Sequence, residues 1–177
     1  MSVEEWEAIH QSRHWGTYPE VYMVRQVKAF MARRAWKVVT ALDIGCGAGA
    51  HTWMMQRERM HVCAVDISPT AIARLAHAVP DVYGMVGDIR EINIAEASQS
   101  FILDNLSLTH VENPPLERIL SWLKPGGRLV SASFLVPPQG APKSWPVHIG
   151  NQIETHTREI NGHTHVIGLH LYEKPNA

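Results

Sequence analysis

Apolar positions along this chain change their period several times, and each change marks an element. From Pro19, Met23, Val24, Val27, Phe30 and Met31 recur every three or four residues, which predicts an amphipathic helix running to about Trp36. "KVVTALDI" is a short apolar run that stops at glycines, the pattern of a buried strand. "AHTWMMQRERM" then reads as a helix and "HVCAVDI" as a second strand. In "SPTAIARLAHAV", Ser68 is placed to cap a helix whose first residue is Pro69. "VYGMVGD" and "SFILDNL" are a third and a fourth strand, "PPLERILSWL" is a helix stopped by "KPGG", and "RLVSASFLV" is a fifth strand. Strands alternating with helices imply right-handed crossovers and a parallel sheet.

The last forty residues follow another rule. Pro137, Pro138, Pro142 and Pro146 exclude an ordinary helix. "IETHTREI" and "HTHVIGLHLYEK" alternate polar and apolar residues on either side of Asn161-Gly162, a two-residue hairpin signal. The fold class is therefore α/β, a doubly wound, mostly parallel seven-stranded sheet that ends in an antiparallel hairpin.

Composition narrows the partners. With 177 residues, 45% of them hydrophobic and 19% charged, the chain suffices for one domain with a real core. A net charge of -1 offers no basic surplus for nucleic acid. Two cysteines, Cys46 and Cys63, form no disulfide framework and fit a reducing compartment. No apolar run approaches the ~20 residues of a membrane span, and "MSVEEWEAIH" has no signal-peptide core. The expectation is a cytoplasmic monomer or homodimer that binds neither nucleic acid nor membrane.

The candidate chemistry centres on "ALDIGCGAGAHTWM". A strand ends just after Asp43, and Gly45, Gly47 and Gly49 follow on alternate positions. A nucleoside triphosphate site would need G-x-x-x-x-G-K-[ST], and this loop has no lysine. A dinucleotide remains open, since G-x-G-x-x-A is a permitted variant. Asp66, at the end of the second strand, suits a ribose diol in either case. Asp43 would sit badly beside a pyrophosphate but well beside an ammonium group. Asp88, at the end of the third strand, is placed to accept from an adenine amino group.

Together these residues resemble the class I S-adenosylmethionine-dependent methyltransferases, small-molecule type. "LDIGCGAGAHT" looks like their first motif, "AVDISPTAI" the second and "VGDI" the third. "SFILDNLSLTHVEN" is similar to their fourth-strand segment and "LKPGGRL" to the turn before the fifth. The resemblance spans Ala41 to Phe134. It implies S-adenosyl-L-methionine as cofactor, S-adenosyl-L-homocysteine as product, and methyl transfer to a nitrogen or oxygen of a small molecule. It also implies that Gly45, Cys46, Gly47 and Gly49 approach the methionine part and that Asp43 orders its amino end. Asp66 takes the ribose, Ile67 packs on adenine, Asp88 and Ile89 read the adenine edge, and Asn105 and Leu106 lie by the amino acid end. On this reading 1–177 is one domain, with an N-terminal lid and helix over 1–36, a cofactor-binding core over 37–136, and a proline-rich loop and hairpin over 137–177.

Other roles rest on residue type and place. His110 follows the fourth strand on the ligand edge and is the candidate general base, ahead of Thr109 and Glu112; the alternative is a loop histidine bonded to backbone or water. "HQSRHWGTYPEVY" is read as the lid, with Trp15 and Tyr18 as its flat apolar faces. If Asn161-Gly162 is a tight turn, Ile160 faces His163, Arg158 faces His165 and His156 faces Ile167. Arg158, His163 and His165 then stand near the ligand edge as substrate contacts. No metal site is expected, because no carboxylate or cysteine completes a ligand set with the histidines. "NPPL" at Asn113 to Leu116 comes too late, and lacks the aromatic, to mark a base-methylating enzyme. Two rival functions stay open: a catalytically silent module that keeps the cofactor site, and a nicotinamide-dependent oxidoreductase.

Overall fold

The protein is described by a computed structural model that covers residues 1–13, 18–32, 34, 38–135, 151–160 and 163–176. Its strands are β1 (Thr40–Ile44), β2 (His61–Asp66), β3 (Tyr83–Val86), β4 (Gln99–Asn105), β5 (Leu123–Phe134), β6 (Asn151–Ile160) and β7 (His163–Glu173). They form one sheet in the order β3-β2-β1-β4-β5-β7-β6. β1 pairs in parallel with both β2 and β4, so the order reverses there. β7 is antiparallel to both β5 and β6, and β6 therefore runs in the direction of β5. Its far end emerges on the same edge as the carboxyl ends of the parallel strands.

Among the described residues five α-helices cover the sheet: α1 (Val3–Ser12), α2 (Val21–Met31), α3 (Ala50–Arg57), α4 (Pro69–Ala78) and α5 (Leu116–Ser121). Alternation along the strands divides the core in two. Ala41, Phe101, Leu103, Val130 and Ala132 pack against Tyr22, Met23, Val27 and Phe30 of α2 and Met54 and Met55 of α3. On the other face, Leu42, Ile44, Ile102 and Leu129 pack against Ile119 and Trp122 at α5. Each such fully buried apolar side chain contributes roughly 1.5–3 kcal/mol relative to exposure. The two faces hold the strand ends in a fixed register.

Most expected elements are present, with informative shifts. Ser68 caps α4, its hydroxyl accepting from the Ala71 amide, and Pro69 opens the helix. The hairpin register pairs Ile160 with His163, Arg158 with His165 and His156 with Ile167, as expected. Asn161-Gly162 and the proline-rich stretch from 137 to 150 lie outside the described residues. The helix expected from Pro19 to Trp36 is shorter, Val21–Met31. β5 begins at Leu123 rather than Arg128, because Gln99 pairs with Leu123 before a register shift carries Phe101 to Arg128. "KPGG" is thus an irregularity within the strand, and Gly126 in the left-handed region (φ 70°) allows it.

One helix was not foreseen. α1 begins with a capping box: Ser2 accepts from the Glu5 amide, and the Glu5 carboxylate accepts from the Ser2 amide. Glu7 then fastens α1 across the sheet edge. Its carboxylate accepts from the Ser68 hydroxyl and from the Thr70 hydroxyl and amide at the start of α4. These donors hold the Glu7 carboxyl far below its usual range, at about 2. We expect Glu7→Ala to speed hydrogen exchange of the α1 amides while β1 and β4 keep their protection. Unchanged exchange in α1 would show that Glu7 does not hold it.

Candidate functional site

The turn after β1 is built by left-handed backbone that favours glycine. Gly45, Gly47 and Gly49 have φ of 64°, 53° and 94°. A Cβ on Gly45 would stand 1.7 Å from the Ser107 hydroxyl oxygen, and one on Gly49 2.6 Å from Leu75 Cδ1. The loop between β1 and α3 is therefore pressed between the segment after β4 and helix α4. Asp66 ties it to β2: one carboxylate oxygen accepts from the Gly47 amide at 2.9 Å, the other from the Ser68 amide at 2.9 Å. The Cys46 amide donates to the Val65 carbonyl at 3.0 Å, and burial pushes the Cys46 thiol up, away from ionisation.

Three acids gather at this edge. Asp43 is 1% exposed and accepts from the Thr52 hydroxyl at 2.5 Å. Burial, with Asp66 and Asp104 nearby, pushes its carboxyl up to about 7. Asp104 is fully buried and accepts from the Ser131 hydroxyl at 2.6 Å and the Ser107 and Leu108 amides at 2.9 and 3.0 Å. Its carboxyl is raised to about 6, again by burial. Asp104 was not singled out from sequence. Its place on the buried strand segment "FILD" is the signal that could have found it.

The remaining candidates fall around this turn. Ile67 follows Asp66, half-buried. Asp88 accepts from its neighbour Arg90, through Nε at 3.0 Å to each oxygen and Nη2 at 2.5 Å, and this lowers its carboxyl. An adenine amino group would have to share that carboxylate with Arg90. Ile89 is in the core. Leu106 adopts a left-handed φ of 68°, and its amide donates to the Ala132 carbonyl at 3.2 Å. The Asn105 side-chain oxygen accepts from the Tyr22 hydroxyl at 2.9 Å. Tyr22, overlooked in the sequence, also stacks on His156 with centroids 4.7 Å apart.

His110 closes a single 3₁₀ turn, Leu108–His110, and its amide donates to the Ser107 carbonyl at 3.0 Å. Burial lowers the imidazole to about 4, so it is neutral at ordinary pH. Trp6 of α1 meets it edge-on at 5.1 Å and Phe134 at 6.1 Å, and His165 lies 5.0 Å from Phe134. Arg158 pairs with Glu20 at 2.6 Å; His163 is exposed. His10 is buried where a Cβ on Gly47 would meet it at 3.6 Å. The element over the glycine turn is thus α1. Tyr18, expected to cover the site, is 85% exposed, and its ring faces solvent; Trp15 lies outside the described residues. Thr109 is buried and donates to the Leu106 carbonyl at 2.6 Å, so its hydroxyl is spent on the turn. A hollow lined by Thr40, Gln56, His61, Cys63 and Tyr83 opens at the amino ends of the strands, away from all of these residues.

The site residues stand at the carboxyl edge, at the point where the strand order reverses. That is the place where open α/β sheets bind ligands. Residues 41–127, just under half of the chain, match the family described as a methyltransferase domain. The fold is that of S-adenosylmethionine-dependent methyltransferases. The chain is 31% identical over 104 residues to malonyl-[acyl-carrier protein] O-methyltransferase of Hahella chejuensis, covering 53% of this chain and 36% of that protein. It is 30% identical over 100 residues to phosphoethanolamine N-methyltransferase 1 of Triticum aestivum, covering 51% and 20%. The chain thus spans well under half the length of these relatives. Among solved structures, the plantazolicin methyltransferase BpumL with a triazolic desmethylPZN analog and SAH superposes with a TM-score of 0.61 at 18% identity, over 74% of this chain and 52% of that one. At 18% identity the likeness is one of fold.

Asp43 supplies a pH test. Its carboxyl titrates near 7 in the folded domain against 3.8 as the reference value. The folded state therefore binds a proton more tightly than the unfolded chain. The stability this contributes is present in full below pH 4 and is lost as pH rises through 7. We expect Asp43→Asn, which keeps an acceptor for Thr52, to gain melting temperature relative to the parent between pH 4 and 7. Parallel melting curves across that range would contradict the assignment.

Proposed function

We propose that this domain transfers a methyl group from S-adenosylmethionine to a nucleophilic nitrogen or oxygen of a small molecule. The observation that carries this is the glycine turn locked against Ser107 and closed by Asp66 at the strand switch. It leaves backbone, rather than side chains, facing the crevice beside a cluster of buried acids. The fit to a cationic cofactor is electrostatic. Burial, with Asp66 and Asp104 nearby, makes Asp43 hold its proton to about 7, and a sulfonium or ammonium group beside it would favour the carboxylate. When bound, the cofactor supplies an activated sulfonium methyl.

The chain's own residues do the rest. Gly45 and Gly47 admit the methionine part to the backbone. Asp66 offers its remaining lone pairs to the ribose, and Ile67 provides a flat apolar contact for adenine. Asn105, oriented by Tyr22, and the left-handed Leu106 border the amino acid end. α1 roofs the turn and excludes water, which holds reactants at attack distance. His110, neutral and beside the turn, takes the proton from an acceptor that must lose one. Arg158, His163 and His165 face the acceptor from the hairpin.

Turnover decides between this reading and a silent binding module. Incubation with S-adenosylmethionine and a metabolite panel should release S-adenosylhomocysteine. Binding without turnover across the panel would favour the silent module. His110→Ala should lower turnover ~10²-fold with cofactor affinity kept. Because the base form of His110 persists down to about pH 4, its acid limb in kcat should fall near 4 rather than near 6.5. Full activity of His110→Ala would remove it from the reaction.

A further inference from the structure

Tyr22, near the start of α2, is buried, and its side chain joins that helix to two other elements. Its ring stacks on His156 of β6 with centroids 4.7 Å apart. Its hydroxyl lies 2.9 Å from the Asn105 side-chain oxygen at the end of β4. The Arg158 guanidinium of β6 hydrogen-bonds the same hydroxyl. Arg158 is held in turn: it pairs with Glu20 at 2.6 Å, and the Glu20 amide donates to His51 Nε2, at the start of α3, at 3.3 Å. Burial lowers the His51 imidazole to about 4, so it stays neutral and keeps an acceptor nitrogen.

Elementary hydrogen-bond chemistry fixes the direction of this relay. A guanidinium only donates, so the Tyr22 oxygen accepts from Arg158. Burial pushes the phenol up, so it keeps its proton, and that proton needs an acceptor. The Asn105 amide oxygen is the acceptor in reach. With its oxygen turned to Tyr22, the amide holds its NH2 on the far side. Turned over, the amide would put a second donor on the phenol oxygen and strand the phenol proton. Among the described residues nothing accepts from the Asn105 NH2, and it is open to solvent. Asn105 also shares a face of the sheet with Asp43, because Asp43 pairs with Leu103 and Asn105 follows two positions later. That face therefore carries an acid on β1 and, at the next inward position of β4, a fixed neutral donor.

We propose that Tyr22 is a positioning residue, whose hydroxyl, fixed by Arg158, locks the Asn105 amide with its NH2 as donor to the carboxylate of the cofactor's amino acid end. This rests on the methyl-transfer reading of the same site and adds how the chain reads the zwitterion. Asp43 serves the ammonium, and Asn105 serves the carboxylate. Tyr22 touches neither; it sets which end of the Asn105 amide the ligand meets.

Binding can be tested without turnover. The full chain is titrated calorimetrically with S-adenosylhomocysteine and with decarboxylated S-adenosylhomocysteine, which keeps the adenosine, sulfur and ammonium but lacks the carboxylate. The parent should bind S-adenosylhomocysteine about tenfold or more tightly than the decarboxylated ligand, the worth of a hydrogen bond to a charged group. Tyr22→Phe keeps the ring on His156 and removes only the hydroxyl. Asn105→Asp keeps an oxygen for Tyr22 and removes the donor. Each should abolish most of the preference by weakening S-adenosylhomocysteine, with the decarboxylated ligand bound no more weakly than by the parent. The double variant should bind S-adenosylhomocysteine no more weakly than Asn105→Asp alone, because Tyr22 acts through Asn105. Should Tyr22→Phe fail to fold, Arg158→Met, at a more exposed position, frees the phenol and should produce the same selective loss. An equal loss for both ligands, an unchanged preference in Tyr22→Phe, or additive losses in the double variant would overturn the proposal. A parent that binds S-adenosylhomocysteine no tighter than the decarboxylated ligand overturns the proposal alone; a parent that binds neither overturns the cofactor reading and the proposal together.

Discussion

The rest of the site depends on a contact that no side chain larger than hydrogen could allow. Gly45 turns the chain out of β1 with a positive φ, and a methyl group there would overlap the Ser107 hydroxyl. Ser107 is itself fixed, because its amide donates to the buried Asp104 carboxylate. The turn is therefore pressed against the segment after β4 on one side and tied to β2 through Asp66 on the other. This constraint fixes where the turn runs at the strand switch.

Burial of the acids follows from the same packing. Asp43 and Asp104 lie on opposite faces of the sheet near its carboxyl edge, each with a hydroxyl partner, Thr52 and Ser131. Neither has an arginine or lysine partner among the described residues. A buried carboxylate without a cation is costly, and both groups hold their protons above the usual range as a result. A cationic ligand would relieve that cost, so the pocket is electrostatically prepared for positive charge.

Much of this was legible in the sequence because it is enforced locally. A strand that ends in alternate glycines, a Ser-Pro cap and an Asn-Gly turn each have a backbone reason to be written as they are. The hairpin register followed from counting outward from Asn161-Gly162. The positions of Gly45, Asp66 and His110 near the turn followed from their distance along the chain from strand ends. What was missed is long-range. The Tyr22 hydroxyl meets Asn105 across 83 positions, and nothing near either residue records it. Arg90 on Asp88 is local, but its choice of partner depends on where its side chain turns. α1 was overlooked although Ser2 and Glu5 spell a capping box, because its polar sequence gives only a weak apolar stripe through Trp6 and Ile9. The lid expected over His10 to Tyr22 starts at the end of that helix, and Tyr18 within it is exposed.

Calorimetric titration of the chain with S-adenosylhomocysteine and, separately, with NAD tests the central claim most directly. The account predicts one saturable site for S-adenosylhomocysteine and no heat from NAD. It also predicts at least tenfold weaker binding in Asp66→Ala, since losing a hydrogen bond to a charged acceptor costs ~1.5–3 kcal/mol. Binding of NAD in place of S-adenosylhomocysteine, or an Asp66→Ala chain that binds as tightly as the parent, would contradict it.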